Sequence, residues 1–161
     1  MTEFAVWLKA TSFSLMLQNV LWMVPAIQTI HIVAIAVLVV SVTMISVRVL
    51  GFSSGPETVE VFLNRLRPWT WAGFGVLALT GTLLFVEEPD RLLADVGFLI
   101  KMALLVVAVP ATWVSDIALR RAVPLWRKSR RLKAYAQAMS VSVLGLWLGV
   151  LIFGRWIAYL G

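Results

Sequence analysis

Four apolar stretches, at 27–47, 69–86, 96–115 and 134–154, decide what this chain can fold into. Each is close to the roughly 20 residues that an α-helix needs to cross the hydrocarbon core of a bilayer. The first contains one ionisable residue, His31, and the third contains one, Lys101; the second and fourth contain none. In hydrocarbon every backbone amide must be satisfied within the protein, which a helix achieves and an open sheet does not. The expected fold is therefore all-α, an integral membrane four-helix bundle. The chain is 61% hydrophobic, against about 45–50% for soluble domains. Its 161 residues form a single transmembrane domain with no room for a separate catalytic module.

Cysteine is absent, which excludes disulfides, thiolate-bound metal clusters and thiol catalysis. The net charge of +6 is concentrated: seven of the fourteen Lys and Arg residues lie between Arg120 and Lys133. Clustered beside an apolar span, they mark a cytoplasmic loop facing anionic lipid rather than a nucleic-acid surface. The loop after the first span adds Arg48, Arg65 and Arg67, whereas the loop after the second holds only Arg91 among acidic residues. The positive-inside rule then places both basic loops in the cytoplasm and both termini on the periplasmic side.

Residues 2–24 lack a basic leader region and a small-residue cleavage site, so they do not read as a signal peptide. Lys9, Gln18 and Asn19 interrupt any fifth span, and the preferred reading is one amphipathic helix lying on the outer leaflet. Gly51 is expected to end the first span. Residues 55–57 are expected to start a short cytoplasmic helix with Val59, Phe62, Leu63 and Leu66 on its apolar face.

Alternating span directions bring His31, Lys101, Glu87, Glu88 and Arg155 to the outer third of the bundle. Helical spacing puts His31 on a stripe with Ala34, Leu38 and Val42, and Lys101 on a stripe with Ala108, Thr112 and Ser115. Gly73, Thr80 and Glu87 share a face of the second span, and Gly145 and Gly149 form a G-x-x-x-G on the fourth. Ionisable groups inside a membrane are expensive and therefore functional candidates. His31 has three readings: an axial haem ligand, a metal or proton relay, or an interhelix hydrogen bond. With no second histidine, a haem would be bound through one imidazole. Its other face would be open or filled by Met102, Lys101 or a second subunit's histidine. Lys101 reads either as a partner for a propionate, a quinone head group or another anion, or as a side chain snorkelling to the interface. Thr80 completes the candidate set of His31, Lys101, Thr80 and Met102. Met16, Met23, His31 and Met102 also suggest a minor alternative, a Cu(I) site. No hydrolase, Walker or zinc-protease motif occurs.

The runs Pro25–His31, Arg48–Gly51, Pro68–Trp71, Leu79–Phe85 and Phe98–Lys101 together resemble a family of small bacterial inner-membrane proteins. That family is distantly similar to copper-resistance D-type membrane proteins and to HemJ-type protoporphyrinogen oxidases. The resemblance covers about residues 20–115 and implies a bacterial inner membrane and a haem b or copper-linked role. It carries a first-helix histidine onto His31 and a third-helix lysine onto Lys101. The further Trp and Arg residues that HemJ-type proteins carry after that histidine are missing from residues 32–47, so porphyrinogen oxidation is not expected. The leading expectation is a membrane protein that binds haem b near its outer face, with His31 as axial and metal ligand, and serves electron transfer to a quinone or a partner subunit. The alternative is a non-enzymatic assembly subunit or channel-like homo-oligomer in which His31 and Lys101 form a structural pair.

Overall fold

The computed structural model describes residues 3–53, 55–125 and 129–160, and their side chains except those of Phe4, Ala5, Phe13 and residues 155–160. It contains seven helices: α1 (Glu3–Lys9), α2 (Ser12–Asn19), α3 (Met23–Leu50), α4 (Val59–Glu87), α5 (Pro89–Ala94), α6 (Val96–Ala122) and α7 (Arg130–Leu160). No strand occurs among the described residues. Four helices are long and apolar enough to cross a membrane: Met23–Leu50, Val59–Glu87, Val96–Ala122 and Arg130–Gly154. At 1.5 Å per residue each is about 38–44 Å long, so each overshoots a hydrocarbon core of about 30 Å by one or two turns. Val106, Ile32 and Leu79 are among the large apolar side chains left on the outside, with Val106 71% exposed. Lipid solvates such a surface and water does not. The protein is a multi-pass membrane protein.

Local chemistry sets the helix boundaries. Gly51 takes a left-handed conformation (φ 89°) and closes α3, with its N–H bonded to the Arg48 carbonyl. The Thr58 hydroxyl accepts the Val61 N–H at the start of α4, and the Asp95 carboxylate accepts the Phe98 N–H at 2.8 Å at the start of α6. Residues 55–57 do not open a separate cytoplasmic helix. The apolar face of Val59, Phe62, Leu63 and Leu66 belongs to α4, which runs unbroken through Pro68 to Glu87. A proline removes one rung of the hydrogen-bond ladder, and the turns on either side carry the helix past it.

The N-terminal segment also departs from its reading as one helix. Thr11 breaks it, donating to the Leu8 carbonyl at 2.7 Å and accepting from the Ser14 N–H, which leaves two short helices. Neither approaches spanning length. Ser14 donates to the Val86 carbonyl at 2.8 Å and Gln18 to the Glu87 carbonyl at 3.1 Å. These bonds satisfy carbonyls that the last turn of α4 leaves open. Lys9 meets Asp90 at 3.7 Å. The segment thus crosses the end of the bundle against α4 and α5.

The long helices run alternately up and down and pack in the order α4–α3–α7–α6. Along the α3–α4 seam the backbones approach closely: a Cβ on Gly73 would sit 3.3 Å from the Leu38 backbone N and 3.4 Å from the Ala34 carbonyl. Between α3 and α7, Ser46 donates to the Ser140 carbonyl at 3.2 Å and Gln137 to the Leu50 carbonyl at 3.2 Å. The α6–α7 seam is marked by Leu104 against Gly149. The other glycine of the G-x-x-x-G, Gly145, faces open space, so that motif is not a seam within this chain. The fourth side of the ring differs from the other three. Helices α4 and α6 are not closely packed along their length. They are joined by side chains at two levels, a Phe85–Phe98 stack (5.9 Å between ring centroids) and an Arg67–Asp116 ion pair. An apolar core of Leu38, Val42, Ala108, Val143, Trp147 and Val150 fills the middle.

Candidate functional site

His31 and Thr80 meet across the α3–α4 seam, about 10 Å from the Glu87 end of α4 by helical rise. The His31 ring lies above Gly81, whose added Cβ would stand 3.5 Å from the imidazole Cε1. Nδ1 is 2.7 Å from the Thr80 hydroxyl. That hydroxyl already donates its single proton to the Val76 carbonyl, also at 2.7 Å. A threonine hydroxyl has one proton and two lone pairs, so toward His31 it accepts. With the threonine proton on that carbonyl, a neutral imidazole donates through Nδ1–H and carries its lone pair on Nε2. Nε2 makes no hydrogen bond to any described residue. A ligating histidine is usually prepared in this way, with the far nitrogen anchored to an acceptor and the near one turned into a ligand.

Lys101 lies at the same end, about 8 Å from the start of α6 by helical rise. Its side chain runs over Gly154 of α7, where a Cβ would stand 3.5 Å from Cδ and 3.8 Å from Nζ. Lys101 is half-buried and forms no ion pair with any described residue. Lys101 and His31 are not hydrogen-bonded to each other; each rests against a glycine of its own neighbouring helix. Met102, one residue further round α6, is 43% exposed and turns outward, as does Met16. Glu88 pairs with Arg91 at 3.2 Å, outside the bundle, while Glu87 ends α4 and has its carbonyl taken by Gln18. The Arg155 and Trp156 side chains lie outside the described residues. No group of three or more His, Asp or Glu side chains converges among the described residues.

A second polar cluster occupies the opposite end of the bundle. Arg67 on α4 and Asp116 on α6 form a close ion pair through Arg67 Nε and Asp116 Oδ1. The same guanidinium donates to Asn64 Oδ1 at 2.6 Å and to the Asp116 carbonyl at 3.3 Å. Arg120 meets the other Asp116 oxygen at 3.4 Å. Arg67 is only 8% exposed. It lies about 30 Å from the Glu87 end of α4, and Asp116 about 30 Å from the Val96 end of α6. The pair therefore stands about 20 Å along α4 from Thr80.

This cluster is barely marked in the amino-acid pattern. Asp116 falls one residue beyond the third apolar stretch, and Arg67 falls in the loop between the first and second. The available signal was spacing: Asp116 continues the inward stripe of Thr112 and Ser115, and Arg67 precedes Thr70 and Gly73 by helical intervals. Arg48 is a similar case. Only 7% exposed, it donates to the carbonyls of Ser53, Gly55 and Glu57 and lies 5.4 Å from the Phe62 ring centroid, clamping the α3–α4 loop. Two of that loop's three basic residues are thus committed to the protein and not to lipid. Comparison of the chain with protein families, curated proteins and solved structures returns no match.

Proposed function

We propose that this is a small bacterial inner-membrane protein that binds haem b at the His31 end and exchanges electrons there with a lipid-soluble quinone or a partner subunit. The observation that carries the reading is the single proton of Thr80. Spent on the Val76 carbonyl, it favours an Nδ1–H imidazole whose Nε2 lone pair is available to a ligand. The donor set fits a haem held through one imidazole. Lys101, which forms no ion pair with any described residue, suits a propionate. Helices α4 and α6, which carry Thr80 and Lys101, are not closely packed along their length, and a planar group between them would displace the Phe85–Phe98 stack. When bound, the haem supplies one-electron exchange; the chain's own residues hold and orient it and keep water away. The basic residues between Arg120 and Lys133 favour a cytoplasmic location for that loop. His31 and both termini are then periplasmic.

An absorption spectrum of the protein purified in mild detergent, before and after dithionite, tests the reading. The expected result is a Soret band with an α band that sharpens on reduction. Both should vanish in a His31→Ala variant that still elutes as folded protein. A featureless visible spectrum from protein produced with ample haem, or a haem-replete His31→Ala variant, overturns it.

A further inference from the structure

Between the Arg67–Asp116 pair and the apolar middle of the bundle lies a cavity with room for water of about 40 Å³, lined from all four long helices. Its polar lining is incompletely satisfied. The Ser140 hydroxyl is buried, on a residue 2% exposed, and has no hydrogen-bond partner among the described residues. Ser115, 5% exposed on α6, lines the same space. Ser46 donates to the Ser140 carbonyl and keeps its lone pairs, and Asp116 and Arg67 close the end of the cavity. A buried hydroxyl without a partner costs about 1–3 kcal/mol, so the Ser140 hydroxyl calls for a small ligand that both donates and accepts. Water fits that requirement and the volume: at about 10–15 Å³ each, with two to four polar partners, about three molecules can be held.

The chamber ends abruptly toward His31. The next gap along the bundle is about 10 Å³ and is walled mainly by Leu38, Trp71, Phe74, Val109 and Trp147. It is too small and too apolar to hold a water well. Its two threonines are already engaged: the Thr112 hydroxyl accepts the Trp147 indole N–H at 2.9 Å, and the Thr70 hydroxyl donates to the Leu66 carbonyl at 3.3 Å. We infer that the Ser115–Ser140–Asp116 chamber is a water-binding cul-de-sac, filled from the basic-loop side past the Arg67–Asp116 pair. It stops below an apolar layer that isolates His31. From Thr70, at its upper wall, to Thr80 is about 15 Å along α4. This inference stands apart from the haem reading.

The absence of native cysteine makes the test direct. Single variants Ser115→Cys and Ser140→Cys, in vesicles with the basic loops facing outward, are exposed to silver ion, a water-sized thiol reagent. After denaturation the remaining thiol is counted with a maleimide. The comparators are Ala108→Cys, at a fully buried core position on the same helix, and Val106→Cys, at a lipid-facing one. The expected result is that both serine-site thiols are blocked at least about ten-fold faster than either comparator, because reaction needs a hydrated thiolate. Vesicles of the opposite orientation should show no such difference. Equal rates at all four positions overturn the chamber, and fast block only from the His31 side overturns its direction. Water-edited solid-state NMR of the unmodified protein provides a second reading that does not depend on the variants. The Ser115 and Ser140 Cβ signals should build up faster than that of Ala108, and equal build-up also overturns the inference.

Discussion

The two ends of the bundle handle polar groups in opposite ways. At the Arg67 end the buried pair is fully compensated: one guanidinium serves Asp116 twice and Asn64 once, and Arg120 takes the remaining Asp116 oxygen. At the His31 end each group has a single anchor, Thr80 under the imidazole and Gly154 under the lysine stem, with a valence left over. The difference follows from what each end must do mechanically. Helices α4 and α6 lack a packed seam, and the Arg67–Asp116 pair bridges them where Phe85 and Phe98 are too far away to help. A charge used as a staple must be fully compensated, because an unpaired one in low dielectric is expensive. A group kept for a ligand must be positioned and still left incomplete.

The largest expected effect separates the ends by stability. Asp116→Ala leaves the Arg67 guanidinium buried without its counter-charge and should cost about 3–5 kcal/mol, read as a lower unfolding midpoint in detergent. Replacing both partners at once, Arg67→Met with Asp116→Leu, should recover most of that loss, because the pair as a whole offers little over well-packed apolar side chains. His31→Ala should cost only about 1 kcal/mol, the net worth of one hydrogen bond. If His31→Ala destabilises as much as Asp116→Ala, the contrast collapses and the histidine is structural.

A smaller effect sharpens the reading of the His31 end itself. Thr80→Val removes the acceptor that fixes the Nδ1–H tautomer and should cost about 1 kcal/mol. The informative readout is ¹⁵N NMR of the imidazole. The unmodified haem-free protein should show a protonated Nδ1 and a bare Nε2, and the variant a mixture of tautomers. A protonated Nε2 in the unmodified protein removes the ligand argument altogether.

How legible this arrangement was in the sequence depended on where each residue fell relative to hydrocarbon. The four spans were readable because a bilayer imposes length and apolarity together, and His31, Lys101 and Thr80 stood out as polar residues on inward stripes. Asp116 and Arg67 were hidden at the ends of their helices, where one or two extra turns look like loop in a hydropathy pattern. Pro68 contributed, since a proline beside an apolar stretch reads as a boundary although α4 runs through it. The break at Thr11 needed a capping geometry that composition does not announce. Which sides of the ring would pack was not readable at all. Close approach at Gly73 and open space at Gly145 come from the same residue type in similar surroundings.

The smallest expected effect lies with the glycines under the two polar side chains. At Gly81 and Gly154 an added Cβ meets His31 Cε1 or Lys101 Cδ at 3.5 Å, an ordinary contact with a side chain that can shift. Alanine is also the better helix former by about 1 kcal/mol. Gly81→Ala and Gly154→Ala should therefore leave stability within about 1 kcal/mol of the parent. Gly73→Ala, driven against the Leu38 backbone at 3.3 Å, cannot be relieved that way and should cost about 1–3 kcal/mol. On the proposed function, Gly81→Ala should still lower haem retention, because the methyl group occupies space beside the ring. A variant that keeps its stability and loses haem places Gly81 in a ligand's path. A variant that keeps both confines that glycine to helix packing and removes the Gly81 side of His31 as a ligand site.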